Sequence, residues 1–146
     1  MAERAVTLAA FLRTGLVLLG LSLPFLSFTL EDTWIFLAIA RDFPSPDGLR
    51  GATSLSWGLL GVVAHAVTGA SSDATWVLKT LSAICWVLAG LCTFRAASVL
   101  RPEVSGPRVA AVFGLMSAAI WSWSGMDTAW SMLWAAFCLW MLALRC

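Results

Sequence analysis

Apolar residues fill this chain in blocks of roughly bilayer length, separated by short polar stretches. The first block covers residues 6–30, begins after Glu3 and Arg4, and carries Pro24 near its far end. About twenty apolar residues suffice to cross a hydrocarbon core, so the block predicts a retained membrane span that its proline kinks. Residues 32–43 then place Ile35, Phe36, Ile39 and Phe43 on one helical face, the pattern of an amphipathic helix lying along a membrane. Phe43-Pro44-Ser45-Pro46-Asp47-Gly48 is a turn-rich break. A further apolar run, residues 53–70, is interrupted by Ser54, Ser56, His65 and Thr68.

Charge decides whether that run crosses. If it does, Arg95, Arg101, Arg108 and Arg145 share the outer side with Arg41 and Arg50, leaving Arg4, Arg13 and Lys79 inside, which inverts the positive-inside rule. If it lies in the interface, Arg4, Arg13, Arg95, Arg101, Arg108 and Arg145 are inside, and this arrangement is the expected one. Ser71-Ser72-Asp73 then starts a helix over residues 75–99 that returns to the inner face. Residues 101–108 make the inner turn, with Pro107 suited to a first helical position. Asp127 is the sole charge in residues 109–144, a stretch too long for one crossing, so the chain turns near it.

The expected fold is an all-α integral membrane protein of one domain, residues 1–146. Four transmembrane helices occupy 6–30, 75–99, 107–123 and 127–145, and amphipathic helices at 32–43 and 53–70 lie in a long outer loop, residues 31–72. The expected location is the cell inner membrane, with both termini cytoplasmic. Composition agrees: the chain is 60% hydrophobic and 12% charged, with a mean hydropathy of +0.88, where soluble domains are about half apolar. Nine Lys and Arg against eight Asp and Glu make the net charge uninformative about nucleic acid, and with no basic run to bind it no nucleic-acid partner is expected. Trp34, Trp57, Trp76, Trp121, Trp123 and Trp130 fall near the outer interface, whereas Trp86, Trp134 and Trp140 do not fit such a belt. Cys85, Cys92, Cys138 and Cys146 form no CxxC pair, and the first three lie in apolar runs as small hydrophobes.

In this topology Asp32 and Asp127 reach the same outer surface. One carboxylate there could take a proton from a hydroxyl nucleophile, and a second could position an acceptor or join the first in holding a divalent cation through oxygen. No other cofactor is expected. Thr29-x-x-Asp32 and Ser124-x-x-Asp127 also have the spacing of capping boxes, and Glu31 reads equally as a solvated loop acid. His65 could titrate, bind a metal or be structural; Trp57 could stack on a sugar or anchor in the interface. Arg41, Arg50 and Lys79 could hold a phosphate or meet lipid headgroups.

Three stretches carry a resemblance. Glu31-Asp32-Thr33-Trp34-Ile35-Phe36 with Ala40-Arg41 resembles the acidic motif after the first span of GT-C superfamily membrane glycosyltransferases. Ala52-Thr53-Ser54-Leu55-Ser56-Trp57 is similar to the Thr-Ser-Pro-Leu-Trp stretch of their bacterial mannosyl- and arabinofuranosyltransferase-like members. Ser124-Gly125-Met126-Asp127-Thr128 is similar to their Ser-Gly-Met-Glu-Thr motif in the second outer loop.

The resemblance implies transfer of a sugar from a polyprenyl-phosphate donor to an extracytoplasmic acceptor. It makes Asp32 the base, Glu31 its assistant and Asp127 the second outer-loop acid. The chain departs from the family in Leu55 for proline, in the shorter Asp127, and in lacking a Gly-rich segment with Asn-x-Gly-Glu between Phe43 and Thr53. Family members also have many more spans, so the chain resembles their N-terminal part: a truncated or split portion, with the missing helices supplied by a second chain. The alternatives are a non-catalytic four-span membrane subunit and a lipid-binding component.

Overall fold

The computed structural model describes residues 8–27, 55–69, 71–116, 122 and 128–145, with the side chains of all but 55–58 and 71–72. These residues are helical and contain no strand. The α-helices are α1 (Leu8–Ser22), α2 (Leu55–Thr68), α3 (Ser71–Leu100), α4 (Gly106–Met116) and α5 (Thr128–Ala143). The amphipathic helix expected at 32–43 lies outside the described residues.

Helix ends follow local chemistry. Pro24 has no N–H to give the ladder, and α1 ends at Ser22 in a 3-10 turn, Leu23–Phe25. The Leu26 N–H closes that turn by donating to the Leu23 carbonyl at 3.1 Å. α2 stops at Gly69, whose φ of 67° is a left-handed conformation that glycine adopts without penalty. The Gly69 N–H donates to the His65 carbonyl at 2.8 Å, and α3 begins two residues later. It takes in Ser71 and Ser72 rather than starting at Thr75, which puts the Asp73 carboxylate in the first turn, where it complements the helix dipole. Below α3, the Arg101 carbonyl accepts the Val104 N–H at 3.0 Å in a turn built on Pro102.

Packed pairs set the direction of each helix. Thr14 lies against Gly106 and Leu21 against Gly114, so α1 and α4 are parallel. Leu18 meets Gly90 and the Leu26 carbonyl meets Lys79, so α3 runs antiparallel to α1. Trp130 packs on the Ala74 and Leu78 cluster and Arg95 lies over Trp140, so α5 runs with α3. One end of the bundle, called the upper, therefore holds Leu26, the α2–α3 link and the start of α5. The lower end holds Leu8, Leu100, Gly106 and Ala143.

α3 is the hub. Buried residues make up 56% of its apolar window against 17% for α1. Trp86, 0% exposed, lies in a cluster with Leu18, Cys85, Leu91, Ala110 and Ala129, and its ring meets Phe113 at 5.3 Å between centroids and 50° between planes. α4 turns Gly106, Ala110 and Gly114 inward, a small-residue stripe that lets backbones approach closely. A Cβ at Gly106 would collide with the Thr14 hydroxyl, and one at Gly114 would sit 2.8 Å from Leu21 Cδ1. α5 presents Ala129, Ala136 and Ala143 in the same manner.

Leu8–Phe25 and Asp73–Leu100 are long and apolar enough to cross a membrane. α2, with 14 residues, is about 21 Å long at 1.5 Å per residue, short of a hydrocarbon core about 30 Å thick. It folds back on the first turns of α3, where Ala64, Ala74 and Leu78 are buried with Leu60 and Leu81 against them. The outer surface is apolar: Leu8, Leu12, Leu16 and Leu19 of α1 and Val77, Ile84 and Leu88 of α3 are exposed. Contiguous apolar surface of this kind marks a membrane or partner contact. Hydroxyls are satisfied inside their own helices, as at Thr14 to Ala10 (2.7 Å), Thr80 to Trp76 (2.8 Å), Thr93 to Ala89 (2.9 Å) and Ser98 to Phe94 (2.7 Å).

Candidate functional site at the upper end

α3 carries Thr75, Lys79 and Ser82 at i, i+4 and i+7, a spacing that lines up one helical face. All three are buried. Lys79 is 3% exposed; its Nζ donates to the Leu26 carbonyl at 2.7 Å and lies 4.6 Å from the centroid of the Trp76 ring. A buried cation is costly unless hydrogen-bonded. The turn that follows α1 supplies that hydrogen bond through the Leu26 carbonyl. Lys79 is thus a strut between α3 and the turn that follows α1. Ser22, also buried, donates to the Leu19 carbonyl at 2.8 Å just before that turn.

In sequence, Glu31 is five residues beyond Leu26 and Asp32 six, and Leu26 is the residue whose carbonyl Lys79 holds at the upper end. Asp127 immediately precedes Thr128, the first residue of α5, which opens at the same upper end. Glu31, Asp32, Arg41, Arg50 and Asp127 themselves lie outside the described residues, as do both capping boxes and the candidate cation ligands, Asp32 and Asp127. Trp57 is on α2 with its side chain outside those described. Among the described residues no three His, Cys, Asp or Glu side chains gather as a metal site.

His65 lies on α2 next to Ala64, partly buried, and its Nδ1 has no hydrogen-bond partner among the described residues. Trp76, half-exposed, and Trp130, packed between both buried clusters, stand at the upper end where the belt is expected; Trp34, Trp121 and Trp123 lie outside the described residues. Trp134 and Trp140 belong instead to an edge-to-face ladder on α5. Trp130–Trp134, Trp134–Phe137 and Phe137–Trp140 have centroids 5.7, 6.2 and 6.0 Å apart, with planes 84–88° apart. The cysteines Cys85, Cys92 and Cys138 are free thiols.

Sequence reasoning misses two features here: the Leu26 carbonyl and Trp76 as partners of Lys79. A lysine three residues after a tryptophan in an apolar helix is the available signal, since such residues are neighbours on one face. The fold and site together define an all-helical bundle with two helices able to cross a membrane and a buried cation bracing one end. No family model matches the chain, and neither a curated protein nor a solved structure matches it.

Proposed function

We propose that the chain is a multi-pass inner-membrane module that transfers a sugar from a polyprenyl-phosphate donor to an extracytoplasmic acceptor, as part of a larger GT-C-like enzyme. The upper end is its outer face and the lower end its cytoplasmic face. The reading is supported by the placement of the flanking residues: Leu26, five residues before Glu31, and Thr128, the residue after Asp127, lie at one end of the bundle. Charge agrees, because Arg13, Arg95, Arg101, Arg108 and Arg145 occupy the lower end with Glu103, and a cytoplasmic excess of arginine is the usual orientation signal.

Two needs define such a transfer: removal of the acceptor hydroxyl proton and stabilisation of the departing lipid phosphate. Asp32 serves the first, with Glu31 beside it and Asp127 as second acid. Arg41 and Arg50 are the candidates for the second, and Lys79 is a positioning residue. A divalent cation, if used, is held by Asp32 and Asp127.

The second reading is a non-catalytic membrane subunit. It draws support from the bonds of Thr14, Ser22, Thr93, Ser98 and Lys79 to main-chain carbonyls, which spend polar groups on the fold. The test is incorporation of radiolabel from polyprenyl-phosphate sugars into acceptor by membranes containing the chain. Transfer above matched membranes lacking it is the expected result. Absence of transfer, both alone and with chains that co-purify, would leave the subunit reading in its place.

A further inference from the structure

At the lower half of the bundle a groove of about 500 Å³ opens between α3 and α4. Val109, Val112, Phe113 and Met116 form its α4 wall, Thr93 contributes from α3, and Val104 and Arg108 stand at its lower mouth. The groove is apolar almost throughout. Thr93 does not change that, because its hydroxyl donates to the Ala89 carbonyl at 2.9 Å. From Arg108 to Met116 the wall runs eight residues, about 12 Å at the rise of a helix.

Arg108 is exposed, and no hydrogen bond or ion pair engages it among the described residues. Its surroundings add positive charge: Arg101 lies across the turn, and Glu103 is the single described acid there. A ligand that fits must therefore carry an apolar tail and an anionic head. A neutral helix could cover the tail site but would leave the guanidinium unanswered.

We propose that this groove holds one acyl chain of an anionic glycerophospholipid of the cytoplasmic leaflet, with its phosphate on Arg108. The site is separate from the sugar-transfer end and rests only on the membrane placement proposed above. Basic pockets between membrane helices on the cytoplasmic side recognise anionic headgroups by this combination of charge and apolar depth. The lipid wedges against α4 at Phe113, which in turn packs on Trp86.

The test is native mass spectrometry of the full chain released from detergent and titrated with phosphatidylglycerol or phosphatidylcholine of matched acyl chains. Phosphatidylglycerol should be retained about fivefold better, the worth of one basic side chain near an anionic headgroup. Arg108→Gln should abolish that preference, lowering phosphatidylglycerol retention more than phosphatidylcholine retention, and Arg108→Lys should keep most of it. Val112→Trp, at an exposed wall position, should lower retention of both lipids while circular dichroism stays unchanged. An undiminished preference in Arg108→Gln, or unchanged retention in Val112→Trp, would overturn the proposal. So would a dimer that Val112→Trp dissociates with no effect on lipid, since a second copy would then be the occupant. A chain that is monodisperse without detergent would instead fail the membrane placement itself.

Discussion

Replacing Asp32 by asparagine is expected to lower sugar transfer by about 10²–10⁴-fold, the usual contribution of a positioned general base. Asparagine keeps the shape of the side chain but cannot accept the acceptor's proton, so binding survives while the chemical step fails. Asp32→Glu keeps the carboxylate on a longer stem and should retain part of the activity. Protein levels must match between variants, because a lost helix cap would lower both activity and abundance. Equal transfer by wild type and Asp32→Asn would remove Asp32 from the mechanism and leave its capping role.

Replacing Trp86 by alanine has the largest expected effect on the fold. The indole is 0% exposed; it shares a buried cluster with Leu18 of α1, Ala110 of α4 and Ala129 of α5, and its ring meets the Phe113 ring. Truncation of a buried tryptophan leaves a cavity its neighbours only partly fill and costs about 3–5 kcal/mol. The expected outcome is a large drop in the midpoint of thermal unfolding in detergent. Trp86→Phe should lose less because it keeps a ring against Phe113. An unchanged midpoint in Trp86→Ala would mean that the four helices do not converge on this residue.

Much of the helical architecture was legible because apolar block length and helix-breaking residues act locally. The all-helical class, the break of α1 at Pro24 and the turn on Pro102 follow from backbone chemistry that one sequence displays. The faces of α3 were not legible. That helix is apolar nearly all round, so periodicity does not tell which side meets α1, which meets α2 and which stays exposed. Lys79 accordingly reads as an outer-face cation, whereas the fold buries it against Leu26. The same limit hid Trp86 in the core. The α5 ladder had a visible signature, since Trp130, Trp134, Phe137 and Trp140 recur at three- and four-residue spacing, but aromatics at that spacing also suit an interface belt. At the candidate site the motifs remain the source for Glu31, Asp32 and Asp127; the structure adds that Leu26 and Thr128, described residues near them in sequence, lie at one end of the bundle.

That shared end is tested most directly by cross-linking. Asp32→Cys and Asp127→Cys are combined in a chain whose Cys85, Cys92, Cys138 and Cys146 are changed to alanine, and membranes are treated with a short bis-thiol reagent. Asp32→Cys with Arg101→Cys serves as the control pair, because α3, with 30 residues, separates the two ends by about 45 Å at helical rise. The predicted result is an intramolecular link between positions 32 and 127 and none between 32 and 101. Positions 32 and 127 that each react with a monofunctional thiol reagent yet never join would contradict the shared end, and with it the single outer site for both acids.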